Sequence, residues 1–163
     1  MSGQTHPLFD WTLWLQWLME TTLGWVLGGI LPGELAMVAA GLVIGILQWT
    51  VLRPRLRQAG WWVLASAVGW ATGWAMIIAT VPPEDGTLTG TLLGAAMGTL
   101  QWLVLRRLLH QAGWWIVVSP LGWAVGLSGF TGQLLVGAVA GAVTGIALEL
   151  LLRYPGLMKG QST

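Results

Sequence analysis

The chain has no cysteine, a single lysine, and charged residues at only 8% of its 163 positions. Without cysteine there are no disulfides, thiolate metal sites, iron–sulfur clusters or cysteine nucleophiles. A water-facing domain carries roughly a quarter charged residues, so this composition excludes a surface made for water. A net charge of +1 argues against a nucleic-acid partner, which needs a clustered basic face. The two histidines, His6 and His110, lie outside every long apolar stretch, which weakens haem or chlorophyll ligation through the usual residue. There is no HExxH, P-loop, nucleophile elbow or Ser-His-Asp arrangement, and the glycines from Gly137 to Gly145 follow no strand. These absences point away from an enzyme. Asparagine is also missing, and with six arginines to one lysine this is compatible with a warm habitat.

What is present is apolar. Hydrophobic residues make up 55% of the chain, and mean hydropathy is +0.72. Thirteen tryptophans equal in number all the charged side chains together. Six apolar stretches predict an all-α polytopic membrane protein of six transmembrane helices, a single membrane domain over 1–163. They are Trp11–Leu31, Leu35–Leu52, Trp61–Val81, Thr87–Leu105, Trp114–Phe130 and Leu134–Leu152. Each is roughly 17–21 residues, which at about 1.5 Å per residue suits a hydrocarbon core near 30 Å. Turn chemistry separates them at Pro32-Gly33-Glu34, at Pro82-Pro83-Glu84-Asp85-Gly86, and from Ser128-Gly129 through Gln133.

The seven basic residues all fall in loop 2–3, loop 4–5 or the C-terminal tail, while the opposite loops hold Glu34, Glu84 and Asp85. The positive-inside rule then places both termini in the cytoplasm of a bacterial inner membrane. Trp49, Trp61-Trp62, Trp102, Trp114-Trp115 and Tyr154 flank the basic loops as an expected aromatic belt. The first ten residues carry no basic n-region, so insertion by the first span itself is expected.

Self-similarity organises the chain. At an offset of 53, Gly41, Gly45, Gln48, Trp49, Leu52 and Arg53 match Gly94, Gly98, Gln101, Trp102, Leu105 and Arg106. Gln58 through Trp62 match Gln111 through Trp115, and Ser66, Gly69, Trp70 and Gly73 match Ser119, Gly122, Trp123 and Gly126. At an offset of 45, Trp17, Thr21, Gly24, Trp25 and Gly28 repeat the odd-helix pattern; at 47, Gly141, Gly145 and Arg153 repeat the even-helix one. The expectation is three parallel two-helix repeats, 11–57, 58–110 and 111–155, closing as a pseudo-threefold bundle, with a cytoplasmic tail at 156–163. Glycines four apart in every span form grooves that let backbones approach, and Trp25, Trp70 and Trp123 are expected to fill the space beside them. Gln48 and Ser66, and likewise Gln101 and Ser119, count to similar depths, which predicts Gln–Ser hydrogen bonds across the 2–3 and 4–5 contacts. Pro120 is expected to bend the fifth span.

The repeat is broken at few places. In the sixth span Leu148 replaces the repeat's glutamine and Glu149 its tryptophan; in the first, Glu20 stands where the others have Ala65 and Val118. Intramembrane carboxylates are costly enough to mark a functional hypothesis. If spans one and six touch, Glu20 and Glu149 would share a proton or hold a cation. The competing reading pairs Glu149 with Arg153 one turn away.

The block Gln101-Trp102-Leu103-Val104-Leu105-Arg106, then Ala112-Gly113-Trp114-Trp115, Ser119 and Gly122-Trp123-Ala124, resembles Trp-rich tandem-repeat small integral membrane proteins of bacteria, of the cyanobacterial and green non-sulfur phototroph type. The resemblance implies a membrane location and no particular activity.

Two functional readings follow. The first is a non-enzymatic membrane protein that binds lipid, quinone or a pigment such as carotenoid, or docks on a larger membrane complex or a second copy. Its candidate residues are Trp25, Trp70, Trp123, Gln48, Gln101, Ser66 and Ser119. The second is a small channel or proton- or cation-linked transporter using Glu20 and Glu149.

Overall fold

The computed structural model describes residues 9–31, 34–82, 84–130 and 132–154, with backbone alone at 34 and 36–38. His6, Pro32-Gly33, Pro83, Thr131, Lys159 and the tail at 156–163 lie outside the described residues. The chain is all-helical: α1 Trp11–Gly29, α2 Glu34–Leu52, α3 Gly60–Thr80, α4 Gly86–Leu105, α5 Trp114–Gly129 and α6 Gln133–Arg153. These bounds lie within one or two residues of those read from the apolar stretches. The starts of α1 and α4 are fixed by Asp10 and Asp85, whose carboxylates accept the amide N–H of Leu13 and Leu88 at 3.0 and 2.9 Å. Such N-caps satisfy a donor that the helix itself leaves unpaired.

Three helices, α3, α4 and α6, are long and apolar enough to cross a membrane. Over their described residues the other three fall short on length or composition. The α5 helix has 16 residues, about 24 Å at 1.5 Å per residue. Along α1 the apolar character is diluted by Gln16, Glu20, three threonines and four tryptophans.

Each helix packs on its chain neighbours, and α1 packs on α6, so the six close into a ring. Among the described residues, close backbone contacts run only between ring neighbours. Every seam brings glycine against the next helix. A Cβ on Gly28 of α1 would lie 2.3 Å from the Ala40 Cα, and one on Gly90 of α4 would lie 2.3 Å from the Trp123 carbonyl oxygen. Gly41, Gly69 and Gly137 stand similarly close to Trp70, Met97 and Thr22, and Gly126 lies 2.9 Å from the Val136 carbonyl on the same measure. Pro120 lies inside α5 without ending it and sits against Gly94.

The close seams hold the odd helices around an axis of indoles. Trp17, Trp62 and Trp115 meet edge-to-face with ring centroids 5.6 to 5.9 Å apart. Trp25, Trp70 and Trp123 form a second triad at 5.2 to 5.7 Å. The layers are eight residues apart along each odd helix, about 12 Å. The members of each triad are the positions that the offsets of 45 and 53 equate. An edge-to-face pair contributes about 0.5–1.5 kcal/mol beyond area burial, so the six contacts stabilise the ring substantially.

Overpacking a glycine seam therefore separates helices, whereas Gly113 has no heavy atom within 4 Å of a built Cβ. In detergent, Gly28→Ala and Gly90→Ala are expected to cost about 1–3 kcal/mol of stability, and Gly113→Ala less than about 0.5 kcal/mol. Unfolding followed by fluorescence-detected size exclusion checks this, and equal effects at all three positions would contradict the seam geometry.

Candidate functional site

Between the indole layers runs a ring of polar side chains from Thr21, Ser66 and Ser119 on the odd helices and Gln48 and Gln101 on the even ones. All are buried, each at most 3% exposed. Gln48 Nε2 donates to Thr21 Oγ1 of α1 at 2.9 Å, and its Oε1 accepts from Trp62 Nε1 of α3 at 3.0 Å. Gln101 repeats the arrangement, donating to Ser66 Oγ at 2.9 Å and accepting from Trp115 Nε1 at 2.9 Å. Each amide thus ties an odd helix to the next odd helix through the even helix between them.

The expected Gln48–Ser66 and Gln101–Ser119 bonds are replaced by these. The glutamine hydroxyl partner lies across the preceding seam, not the following one. The reason is register. Ser66 sits beside Gly45 and Ser119 beside Gly98, about 4.5 Å along the helix from the glutamine. That leaves the indole one turn earlier, Trp62 or Trp115, level with the amide.

At the third position Leu148 offers no amide. Trp17 Nε1 instead donates to Thr144 Oγ1 at 3.0 Å, one turn away, and the Thr144 hydroxyl donates to the Ala140 carbonyl at 2.7 Å. Ser119 Oγ is buried with no partner. In the second indole layer Trp70 and Trp123 are at most 1% exposed and lie against Trp25. Their ring faces are occupied by one another rather than presented to a ligand, and the N–H groups of Trp25 and Trp70 have no acceptor.

Glu20 and Glu149 are not brought together. Glu149 is 2% exposed; its Oε1 accepts from the Asp10 backbone N–H at 3.0 Å and pairs with the Arg153 guanidinium, while Oε2 has no partner. Glu20 is half-buried on α1, ten residues beyond Asp10 and so about 15 Å along the axis. It also lies on the wrong flank, sharing a helical face with Gly24, which meets Ile44 of α2 rather than α6. Among the described residues no group of three His, Asp or Glu side chains is placed to hold a metal ion.

One feature was not anticipated. On the outside of the α3–α4 seam runs a groove of about 270 Å³. Its walls are Trp61, Leu64, Ala65 and Val68 of α3, and Leu100, Leu103 and Val104 of α4. Gln58 and Arg107 border it at the end nearest the basic loops. The signal was present: 61, 64, 65 and 68, like 100, 103, 104 and 107, follow the i, i+3, i+4, i+7 rule for one helix face. Gln58 takes φ 61°, the left-handed region, just before α3 begins. A non-glycine residue there costs about 1–2 kcal/mol.

No family model, curated protein or solved structure matches this chain.

The polar ring locks helices together, since each glutamine amide is satisfied by a hydroxyl of one odd helix and an indole of the next. Gln101→Leu orphans both Ser66 Oγ and Trp115 Nε1, and is expected to cost about 1–3 kcal/mol in detergent denaturation. Leu148→Gln gives Ser119 the donor it lacks and is expected to stabilise by about 1 kcal/mol. Destabilisation by both substitutions would contradict the bridging geometry.

Proposed function

We propose that the chain is a non-enzymatic integral membrane protein that holds a hydrophobic ligand in the groove between α3 and α4, alone or as an accessory subunit of a larger membrane complex. In this reading all six helices cross a bacterial inner membrane as three tandem two-helix units about a pseudo-threefold axis. Both termini then lie in the cytoplasm, and kinship with Trp-rich repeat membrane proteins of bacteria belongs to the same proposal.

The observation that carries it is the contrast between the axis and the outer seam. Six indoles fill the axis, five of them at most 1% exposed, which leaves little room for a hydrated path. The groove, by comparison, is an apolar trough between two helices long and apolar enough to cross a membrane. It has a cation and an amide at one end, the usual build of a ligand site: apolar walls with few polar groups to fix orientation. Its volume of about 270 Å³ lies just below the roughly 300 Å³ at which pockets begin to enclose a whole small molecule. That favours a chain-shaped occupant over an enclosed quinone ring or pigment. The separation of Glu20 from Glu149 removes support from transport through that pair.

Protein purified from native membranes is expected to keep a hydrophobic molecule through detergent exchange, seen by native mass spectrometry and, for a pigment, by visible absorbance. Val68→Trp, which places an indole in the groove from a half-exposed position, is expected to release it. A wild-type chain that carries nothing would overturn the reading. Proteoliposomes are expected to leak protons and alkali cations no faster than empty vesicles, and a flux abolished by Glu20→Gln would favour the transporter instead.

A further inference from the structure

We infer that the occupant of the α3–α4 groove is an anionic phospholipid, with its phosphate at Arg107 and one acyl chain lying along the trough beyond Trp61. This rests on the reading that the groove takes a hydrophobic ligand, and adds which class.

The arginines settle the first part. Among the described residues, Arg53 lies over the Trp49 ring and Arg106 over the Trp102 ring, at 5.4 and 4.8 Å. Arg55 donates to the Val51 carbonyl at 2.8 Å, and Arg153 pairs with Glu149. Arg57 and Arg107 make none of these contacts and both are exposed, but of the two it is Arg107 that borders the groove. A guanidinium at the mouth of an apolar trough is suited to a phosphate, which it binds through a planar fork of donors. Gln58 adds an amide on the opposite wall. No carboxylate lines the groove. Of the acids, Glu84 and Asp85 lie at the other end of α4, and Asp10, Glu20 and Glu149 lie on or beside α1 and α6, across the ring. Glu34 begins α2, at the opposite end from the basic loops, and among the described residues no carboxylate pairs with Arg107.

The offsets supply an internal comparison. The position equivalent to Arg107 is Pro54 beside α1–α2 and Tyr154 beside α5–α6. Ala65, on the wall of the groove, is replaced by Glu20 in the first unit, where a carboxylate would oppose a phosphate. Of the three equivalent positions only 107 carries a cation, so one lipid per chain is the expected stoichiometry. The trough supports the second part. From Trp61 to Val68 it extends about 10 Å along α3, which is the reach of part of one acyl chain and too short for a whole pigment. Trp61 is 58% exposed at the headgroup end, where an amphipathic indole belongs. The bound lipid therefore comes from the leaflet on the side of the basic loops.

The test uses the full-length protein, delipidated in neutral detergent and titrated with phosphatidylglycerol or phosphatidylcholine of the same chains, read by native mass spectrometry. One phosphatidylglycerol per chain is expected, preferred over phosphatidylcholine by about tenfold, the scale of one charge-assisted contact. Arg107→Gln is expected to abolish the preference while phosphatidylcholine still binds, and Arg107→Lys to keep most of it. Val68→Trp is expected to weaken both lipids alike. Unchanged size-exclusion elution and far-UV circular dichroism certify the fold of each variant. Preference that survives Arg107→Gln, or is missing from the wild type, overturns the headgroup assignment and leaves the groove reading standing. Two lipids that bind Val68→Trp as they bind the wild type overturn the groove itself.

Discussion

Two layers of three indoles set edge-to-face at the centre of a six-helix ring determine what the other residues are for. An indole is large and carries a donor, so a ring built around six of them must approach closely elsewhere and gains from acceptors for its buried N–H groups, which Trp17, Trp62 and Trp115 find and Trp25 and Trp70 do not. The glycine seams meet the first demand. At Gly28 and Gly90 the facing backbone already occupies the place of a side chain, and in lipid such contact is a principal source of helix association. The glutamines meet the second for Trp62 and Trp115. One amide satisfies an indole and a hydroxyl at once, so the polar ring and the aromatic layer are a single packing unit.

The third unit departs from this scheme in a way the geometry explains. Leu148 removes the amide, and Thr144 takes over the Trp17 indole from one turn away. Glu149 stands where the other even helices have tryptophan, and it grips the start of α1 through the Asp10 N–H while holding Arg153. Trp14 adds a bond to the Ala142 carbonyl at 3.0 Å. Among the described residues the seam that joins the two ends of the chain is thus fastened by three side-chain bonds, where α1–α2, α2–α3, α3–α4 and α4–α5 each have one. Removing Arg153 would leave the buried Glu149 carboxylate uncompensated, so Glu149 and Arg153 are best regarded as a clasp.

Much of this was legible in the residues. The apolar runs and the turn residues between them placed the helix ends within a residue or two, and the spacing of Glu149 and Arg153 announced their pairing. What failed was depth. Counting from loop ends put Gln48 level with Ser66, but packing on Gly45 shifted the two by a turn and handed the amide to Trp62. The same counting let Glu20 and Glu149 meet if spans one and six touch, without showing that Glu20 faces α2. The outward stripe from Trp61 to Val68 was hidden because it consists of ordinary leucine, alanine and valine. Only its juxtaposition with the stripe ending at Arg107 gives it meaning, and one helix read alone does not contain that.

Closure of the ring around the indoles is directly measurable, because the chain has no native cysteine. Thr22 of α1 and Ala138 of α6 line one outer groove, whereas Val68 lies on α3 beside α4. Mild oxidation of Thr22→Cys/Ala138→Cys in membranes should give a fast intramolecular cross-link, visible as a mobility shift on non-reducing gels, and Thr22→Cys/Val68→Cys should give none. A first and last helix that fail to cross-link, or that join only between separate chains, would contradict the closed ring and with it the tryptophan core.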